Sequence, residues 1–296
     1  MNSAIRFDGK TALITGAASG LGRSHAIEFA RRRARVMLTD MNEAVQDVAA
    51  EIQAEGGECA AAIGSVSNRQ DCERAVQAAI EQWGQLDILV NNAGVLRDRT
   101  LEKQSDADWD TVLDVHLTGA RNMTLAAWPS MSARKYGRII NTTSASGLYG
   151  NFGQTNYAAA KMGLVGFTKS CALEGVRHGV NAHCIAPIAH TAMTDKLWDD
   201  SAKAGTDPAL VSPVVAYLAS SECRENCMIL AAGGGYVARV AVIEALGARV
   251  EHGQSLNAEW VRENFARISD MRNADAPPSV IQALKKAFRA ESTGEI

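Results

Sequence analysis

Residues 11–22 read Thr-Ala-Leu-Ile-Thr-Gly-Ala-Ala-Ser-Gly-Leu-Gly, an apolar run that ends in a turn with three glycines. The run Thr11–Thr15 predicts a buried strand, because it is short and apolar. The segment that opens at Gly20 and continues to Arg33 has the apolar spacing of a helix. A glycine turn between a strand and a helix predicts a cradle for phosphate, since the backbone can approach closely and the helix start offers free N–H groups.

The chain repeats this strand and helix alternation through its first 185 residues. The further strand-like runs are Arg35–Thr39, Ala60–Ile63, Leu86–Asn91, Arg138–Thr142 and Val180–Ile185. Segments with helical periodicity lie between them, such as Asn42–Glu55 and Asn68–Trp83. Such alternation predicts an α/β fold with a single doubly wound parallel sheet, Rossmann-like, with helices on both faces.

The later part of the chain breaks this pattern. Residues 188–212 predict a loop with at most a short helix, placed beyond a strand end, where it would cover a substrate. Two helical patterns follow, one around Trp260 and one around Leu284. We expect residues 1–240 to form a dinucleotide-binding and catalytic domain. Residues 241–296 would form a C-terminal helical extension packed on the same domain or on a neighbouring subunit.

Composition excludes several classes of function. The 296 residues are 47% apolar and 21% charged, which is ordinary for a globular protein, and the net charge of −3 gives no case for nucleic acid or an anionic membrane. No apolar run is long enough to span a membrane, and the N-terminus lacks a secretory signal. The six cysteines form no CxxC pair, which predicts no metal site and, with the missing signal, a cytoplasmic location.

Asp40 follows the second strand and predicts the kind of dinucleotide. A carboxylate there can accept hydrogen bonds from both adenosine ribose hydroxyls, and it would repel a 2′-phosphate. Neither Met41 nor Ser19 is basic, which also favours NAD over NADP. The alternative is that Asp40 is only a turn residue. The stretch Asn91-Asn92-Ala93-Gly94 after the fourth strand predicts a wall of the adenosine pocket, although asparagine is also common in turns.

The pattern of three residues predicts proton transfer during alcohol oxidation: Ser144, Tyr157 and Lys161. Tyr157 and Lys161 are four residues apart on a helix expected over Thr155–Arg177, so they share a face. A phenol has an ordinary pKa near 10, and a neighbouring ammonium would lower it. Tyr157 is then the candidate general base for alcohol oxidation, Lys161 would also hold the nicotinamide ribose, and Ser144 would orient the substrate oxygen.

These motifs resemble the short-chain dehydrogenase/reductase family. The stretches at residues 95–99, 136–140 and 144–154 are most similar to its (3R)-hydroxyacyl-CoA dehydrogenase subgroup, also called type 4 17β-hydroxysteroid dehydrogenases. The resemblance is strongest from Asp8 to Thr194 and weaker through the tail. It implies that Ser144, Tyr157 and Lys161 are catalytic, with His116 where most of the family has an asparagine. His116 would support a water chain from Lys161, or it is a packed histidine on a subunit-contact helix.

The resemblance also implies a set of cofactor-binding residues. They are Gly16, Ser19, Gly20, Leu21, Gly22, Asp40, Ser65, Val66, Asn91, Ala93, Gly94, Tyr157, Lys161, Pro187 and Ile188. Three positions depart from the family pattern, because Ser65 replaces an aspartate, Ile188 a glycine and His183 an asparagine. Ser65 could still bind adenine through its hydroxyl, and Ile188 would bind the nicotinamide carboxamide through its backbone.

The implied activity is oxidation of a (3R)-3-hydroxyacyl-CoA, with a fatty or steroid side-chain acyl group, to the 3-oxoacyl-CoA by NAD. A short segment between Pro187 and Pro213 fits a bulky acyl-CoA or steroid substrate. The resemblance further implies a homodimer or homotetramer, built on helices containing Asp114–Ala127 and Tyr157–Cys171, and a separate enoyl-CoA hydratase. Three alternatives stay open: another secondary-alcohol or hydroxysteroid dehydrogenase, a 3-oxoacyl carrier-protein reductase, and a catalytically lapsed dinucleotide-binding scaffold.

Overall fold

A computed structural model describes residues 4–190, 205–251, 253–277 and 279–288. The strands are β1 (Thr11–Thr15), β2 (Arg35–Asp40), β3 (Cys59–Ile63), β4 (Ile88–Asn91), β5 (Gly137–Thr142), β6 (Val180–Pro187), β7 (Ile229–Gly233) and β8 (Tyr236–Val240). The α-helices are α1 (Gly20–Arg31), α2 (Val45–Ala54), α3 (Arg69–Trp83), α4 (Asp106–Leu113), α5 (Gly119–Arg134), α6 (Ala145–Tyr149), α7 (Thr155–Gly175), α8 (Ser212–Ala219), α9 (Ala258–Ile268) and α10 (Val280–Phe288).

The strands form one sheet in the order β3-β2-β1-β4-β5-β6-β7-β8. Every pairing from β3 through β7 is parallel, and the order reverses beside β1, as in a doubly wound fold. Only Gly234 and Gly235 separate β8 from β7, so β8 runs back along its neighbour in a tight hairpin. The predicted doubly wound sheet is confirmed.

Side chains alternate between two apolar layers, one on each face of this sheet. Ile14 of β1 packs in the layer that holds α1, α2 and α8, whereas Leu13 packs in the layer that holds α3, α5 and α7. Both are fully buried. Burial on both faces explains why β1 reads as a continuous apolar run, and each such side chain stabilises the fold by ~1.5–3 kcal/mol.

The structure differs from the sequence-based expectations at several boundaries. Strand β4 begins at Ile88 rather than Leu86, and β6 continues through Pro187. The strands β7 and β8 were not predicted. In the region expected to be a loop, residues 191–204 lie outside the described ranges, a short 3-10 turn covers Pro208–Leu210, and α8 begins at Ser212.

The chain divides into two compact units, Met1–Arg239 and Val240–Ile296. In the second unit, α9 and α10 are the two helices that the tail pattern predicted. The ammonium of Lys286 bonds to Asp275, between α9 and α10, at 2.5 Å and to the carbonyl of Glu244, before α9, at 3.3 Å. Where this extension packs stays a prediction. No helix in the described part of the chain has the length and apolar character needed to cross a membrane.

Candidate active site

The glycine turn between β1 and α1 packs directly against the chain that leaves β4. Gly16 has a φ of +65°, and a Cβ there would lie 2.7 Å from the Ala93 Cα. A Cβ on Gly22 would lie only 2.1 Å from the Gly16 carbonyl oxygen. Neither position has room for a side chain, so both glycines are required by the local geometry.

Two polar residues hold this turn in place. The side-chain amide of Asn92 donates to the carbonyl oxygens of Thr15 at 3.0 Å and Gly16 at 3.2 Å. The Thr15 hydroxyl accepts from the backbone N–H groups of Asn92 and Ala93, both at 3.0 Å. Thr15 was not among the predicted site residues, and Asn92 was predicted only as part of the wall of the adenosine pocket formed by residues 91–94, not as a support of the glycine turn. The paired asparagines at 91 and 92 were the only signal in the sequence.

The start of α1 is open to a ligand. Ser19 precedes Gly20 in an extended conformation, and its side chain makes no capping hydrogen bond to the first turn. The first N–H groups of α1 therefore remain available to an anion, and they carry the positive end of the helix dipole. Leu21 packs against the apolar layer below, which fixes the direction of α1.

The close approach at Gly22 makes a substitution test possible. We expect Gly22→Ala to destabilise the protein by ~1–3 kcal/mol, because the new methyl group overlaps the Gly16 carbonyl. The variant should also bind a dinucleotide more weakly. Gly166→Ala is the matched control, since a Cβ there meets nothing within 4 Å and the residue lies within α7. Urea denaturation and NAD titration of both variants would measure the difference, and equal stability of the two would contradict this packing argument.

Asp40 lies at the end of β2, beside the glycine turn. One carboxylate oxygen accepts from the Ala18 N–H at 3.0 Å, and the other accepts from the Asn42 N–H at 2.9 Å. The carboxylate therefore braces the glycine turn as well as the turn that follows β2. Each oxygen retains a lone pair for a further donor, so the bracing and a ribose contact are compatible.

Ser65 and Val66 follow β3 at the same edge of the sheet. The Ser65 hydroxyl accepts from the Ser67 N–H at 3.3 Å, and its backbone N–H donates to Asp71 at 2.9 Å. The Val66 carbonyl accepts from the Asn122 side chain at 3.1 Å. The Ser65 side chain is thus engaged within its own turn, in a position where the family pattern places a carboxylate.

Ser144 and Tyr157 are brought together by the chain that leaves β5. That strand ends at Thr142, and Ser144 caps the short helix α6 through a bond from the Ser146 N–H at 3.2 Å. The Ser144 hydroxyl lies close enough to Tyr157 to lower the pKa of the phenol, although the two residues are 13 positions apart. A hydroxyl and a phenol therefore lie close together at the carboxyl edge of the sheet.

Lys161 lies one turn further along α7 and is almost completely buried, with 3% of its surface exposed. Its ammonium donates to the Thr142 carbonyl at 2.6 Å and lies 5.5 Å from the centre of the Tyr157 ring. Burial without a carboxylate partner lowers the pKa of Lys161 to about 7. The side chain is therefore poised to change its charge near neutral pH.

The pKa of Tyr157 does not follow the sequence-based expectation. Burial raises it above the ordinary value, the nearby Ser144 hydroxyl lowers it, and the negative charge of Asp98 raises it. The predicted lowering of this pKa by Lys161 is not found in the protein alone. A more acidic phenol at this position requires a further positive charge, such as that of an oxidised nicotinamide ring.

His116 lies in a π-helical turn, Asp114–Thr118, between α4 and α5. Its Nε2 atom is 3.1 Å from the backbone nitrogen of Val95 and 2.8 Å from the Val95 carbonyl oxygen. The imidazole ring meets the Tyr157 ring edge-on, with 5.1 Å between centroids. Burial, and then the charge of Lys161, hold the pKa of His116 well below its usual range, so the ring is neutral.

A small cavity lies behind these residues. It has a volume of about 10 Å³ and is lined by Thr15, Val66, Asn91, Ala93, Val115, His116, Ala120, Lys161 and Leu164. The Nδ1 atom of His116 and the Oδ1 atom of Asn91 are both buried without a protein partner. The Asn91 amide nitrogen donates to Asn141 at 2.8 Å, so this side chain belongs to the sheet interior rather than to an open crevice.

Pro187 and Ile188 lie at the carboxyl end of β6. The Ile188 N–H donates to the Ala232 carbonyl at 2.7 Å, which attaches this turn to β7. His183, the third departure from the family pattern, is fully buried and accepts from the Met228 N–H at 3.3 Å. Burial lowers its pKa to about 4, so His183 is a neutral core residue. Among the described residues, no cluster of His, Cys, Asp or Glu could hold a metal ion.

The fold and the family comparison together define the class of this protein as an oxidoreductase. The family model described as short chain dehydrogenase matches residues 10–202. The chain belongs to the short-chain dehydrogenase/reductase family, whose members are oxidoreductases that act on CH–OH groups and typically use NAD or NADP.

Several individual proteins are similar to this chain over most of its length. The chain is 39% identical to peroxisomal multifunctional enzyme type 2 of Mus musculus, over 100% of this chain and 40% of that protein. The solved structure of full-length peroxisomal multifunctional enzyme type 2 from Drosophila melanogaster matches with a TM-score of 0.84 and 37% identity, over 96% of this chain and 49% of that one. A short chain dehydrogenase from Mycobacterium avium matches with a TM-score of 0.78 and 35% identity, over 88% of this chain and 94% of that one. The chain thus spans about half or less of the multifunctional relatives.

Proposed function

We propose that this protein oxidises the 3-hydroxyl group of a (3R)-3-hydroxyacyl-CoA to a ketone with NAD. The observation that carries the proposal is the buried Lys161 ammonium 5.5 Å from the centre of the Tyr157 ring, with the Ser144 hydroxyl nearby, at the same sheet edge as the glycine turn. The acyl-CoA substrate is supported by the likeness to multifunctional enzymes, among them relatives named peroxisomal hydratase-dehydrogenase-epimerase.

The residues of the site fit a dinucleotide. Gly16 and Gly22 leave no room for side chains where a diphosphate would approach, and the start of α1 offers uncapped N–H groups. Asp40 would bind the adenosine ribose, and Lys161 the nicotinamide ribose. Ser65, Val66 and Ala93 would border the adenine side, and the backbone of Ile188 would face the carboxamide. Bound NAD supplies the hydride acceptor.

Side chains of the protein itself transfer the proton. The Ser144 hydroxyl orients the substrate oxygen. Tyr157 accepts the proton of that oxygen as the hydride leaves the carbon that bears it. The pKa of Tyr157 is raised in the protein alone, so base catalysis depends on the positive charges of Lys161 and of the oxidised nicotinamide ring. In the reverse direction, Tyr157 donates the same proton to the ketone oxygen.

The cavity beside Lys161 supports a role for His116. Its volume of about 10 Å³ matches a single water molecule, and the Nδ1 atom of His116 and Oδ1 atom of Asn91 provide polar partners. A water molecule there would carry a proton between Lys161 and His116. The neutral ring can donate from one nitrogen and accept at the other, as such a chain requires.

Assembly and partners follow from the same likeness. We propose a homodimer or homotetramer that contacts through helices α5 and α7, with a separate enoyl-CoA hydratase supplying the hydroxyacyl thioester. The C-terminal extension would pack on the first unit or on a neighbouring subunit. The cytoplasmic location expected from the sequence stays a prediction, since the most similar multifunctional relatives are named peroxisomal.

The test is stereospecific turnover. A panel of (3R)- and (3S)-3-hydroxyacyl-CoA thioesters, together with free hydroxysteroids and simple secondary alcohols, would be offered with NAD or NADP while NADH or NADPH absorbance is followed. We expect turnover of the (3R) thioesters with NAD. Oxidation of steroids or simple alcohols but not of any thioester would replace the acyl-CoA assignment, and no turnover of any substrate would favour a dinucleotide-binding scaffold.

Asp40 provides a test of the cofactor assignment. Asp40→Asn is expected to lower the ratio of kcat/KM with NAD to kcat/KM with NADP by about tenfold or more, because a charged hydrogen-bond partner contributes ~1.5–3 kcal/mol. The uncharged amide would also no longer repel a 2′-phosphate. Asp47→Asn, an exposed carboxylate in the first turn of α2, is the charge-matched control. An unchanged ratio in Asp40→Asn would limit Asp40 to bracing the turns around it.

A further inference from the structure

The chain that follows β4 crosses next to α7, the helix that carries Tyr157 and Lys161. We call residues 94–99 the β4 loop. At one end, His116 contacts both backbone polar groups of Val95. At the other end, the Arg99 N–H donates to the Gly153 carbonyl at 2.9 Å, just before α7 begins. The β4 loop is therefore attached to the site at both ends, although its residues 97–99 are exposed.

Asn156 attaches the middle of this loop to α7. The side chain is fully buried. Its amide nitrogen donates to the Arg97 carbonyl at 3.1 Å and to the Asp108 carbonyl of α4 at 3.3 Å. Its amide oxygen accepts from the Tyr157 N–H at 2.7 Å. One side chain thus connects the β4 loop, α4 and the first turn of α7.

Gln154 adds a second attachment. It is 7% exposed, and its amide nitrogen donates to the Asp98 carboxylate at 2.8 Å. Its amide oxygen accepts from the Asn151 side chain at 2.9 Å. Asp98 is near enough to Tyr157 for its charge to act on the phenol. Gln154 therefore fixes the position of a carboxylate that faces the catalytic group.

We propose that Asn156 is a positioning residue for Tyr157, which locks the first turn of α7 to the β4 loop, with Gln154 as its support. The inference rests on the proposed function, in which Tyr157 transfers the proton. Asn156 touches neither the phenol oxygen nor the glycine turn, so it acts through the backbone of Tyr157 and through the loop.

The physical reason is that Tyr157 lies in the first turn of a helix. Backbone N–H groups there have no partner within the helix, and such turns fray unless a side chain or another element holds them. The Asn156 amide satisfies one of these groups and fastens the same turn to two other elements. Proton transfer needs the phenol within hydrogen-bond distance of the substrate oxygen, and a displacement of about 1 Å can lower a rate by ~10²-fold.

The first test removes the amide. We expect Asn156→Ala to lower kcat by ~10- to 100-fold, while the Kd for NAD, measured by direct titration, changes less than about twofold because the glycine turn and Asp40 share no contact with Asn156. Asn181→Ala is the matched control. The Asn181 side chain also donates to a backbone carbonyl, that of Glu225 at 3.3 Å, but it lies on β6 away from Tyr157, and this variant should keep its kcat.

A second measurement does not depend on turnover. The ionisation of Tyr157 can be followed by ultraviolet titration. Its signal is the difference between the spectrum of each protein and the spectrum of the same protein carrying Tyr157→Phe. Burial and Asp98 raise the pKa of Tyr157 in the native protein. In Asn156→Ala we expect this pKa to fall toward its ordinary value near 10, because the phenol becomes more exposed and the loop with Asp98 is released.

A third variant restores part of the amide. Asn156→Asp keeps an acceptor for the Tyr157 N–H, but an ionised carboxylate repels the carbonyls of Arg97 and Asp108. Its protonated form can donate to one of them. We therefore expect the activity of Asn156→Asp, relative to wild type at each pH, to rise as the pH is lowered, which a general loss of stability would not produce.

The outcomes separate the inference from the function on which it rests. A native kcat and an unchanged Tyr157 pKa in Asn156→Ala would overturn the positioning role, as would a parallel loss of NAD affinity, which would indicate a general structural defect. If the native protein oxidised no thioester or alcohol, the proposed function would fail, and the Tyr157 titration would still decide whether Asn156 positions that phenol.

Discussion

Replacing Tyr157 by phenylalanine is expected to lower kcat for (3R)-3-hydroxyacyl-CoA oxidation by ~10²–10⁴-fold, the usual contribution of a positioned acid or base. The substitution removes one oxygen atom and leaves the ring that packs edge-on against His116. NAD affinity and thermal stability should change little, because the substitution removes a single hydroxyl group and keeps the packing of the ring. NADH absorbance gives the rate, and direct titration gives the affinity.

Tyr149→Phe is the matched control for this experiment. Tyr149 ends the short helix α6, in the same connection between β5 and α7, and 73% of its surface is exposed. We expect the control to keep its kcat within about twofold, since no proton transfer is assigned to it. A Tyr157→Phe variant that retained more than about a tenth of the native rate would remove Tyr157 from the chemistry, because general acid–base catalysis contributes at least ~10²-fold.

Most of the sheet could be predicted from the sequence for a physical reason. Parallel strands buried on both faces must be apolar along their whole length, and β1, with all of its residues buried, shows this most clearly. Two strands were missed. β7 is as short as β1 and almost as buried, but three of its five residues are alanine or glycine, which do not favour strands. β8 carries exposed side chains such as Tyr236 and Val237.

Some residues of the candidate site could likewise be predicted from the sequence, and others could not. Ser144, Tyr157 and Lys161 could be predicted because helical spacing and strand ends are visible in a sequence. The roles of Asn92 and Asn156 could not, because their amides bind backbone carbonyls of residues that are 48–77 positions away. Backbone acceptors are present at every residue and leave no pattern of side-chain types. The pKa of Tyr157 was missed because burial, which dominates it, depends on the packed tertiary structure.

Burial of Lys161 in the candidate site lowers the stability of the folded protein. A buried ammonium has its pKa lowered to about 7, against an ordinary value of 10.5. Below pH 7 the folded protein therefore bears the full cost of burying the charge. Between pH 7 and pH 10.5 the unfolded chain binds more protons than the folded one, so this side chain's contribution to the free energy of unfolding rises with pH across that window.

Lys161→Met is therefore expected to have two opposite effects. At pH 6, the variant should be more stable than the native protein by on the order of a few kcal/mol, because a methionine of similar length fills the space without a charge. The stability difference should shrink as the pH rises from 7 toward 10.5. At the same time kcat/KM should fall by ~10²–10³-fold, since the site loses the cation that would stabilise the Tyr157 phenolate and hold the nicotinamide ribose.

Denaturant unfolding at a series of pH values, combined with turnover at each pH, measures both effects on one pair of proteins. Lys169→Met is the matched control, because Lys169 lies eight residues further along α7 and is only partly buried. That control should retain the native pH dependence of stability and the native rate. If Lys161→Met were less stable than the native protein at pH 6, the ammonium would have to be stabilised by its bond to the Thr142 carbonyl, and the lowered pKa of Lys161 would be wrong.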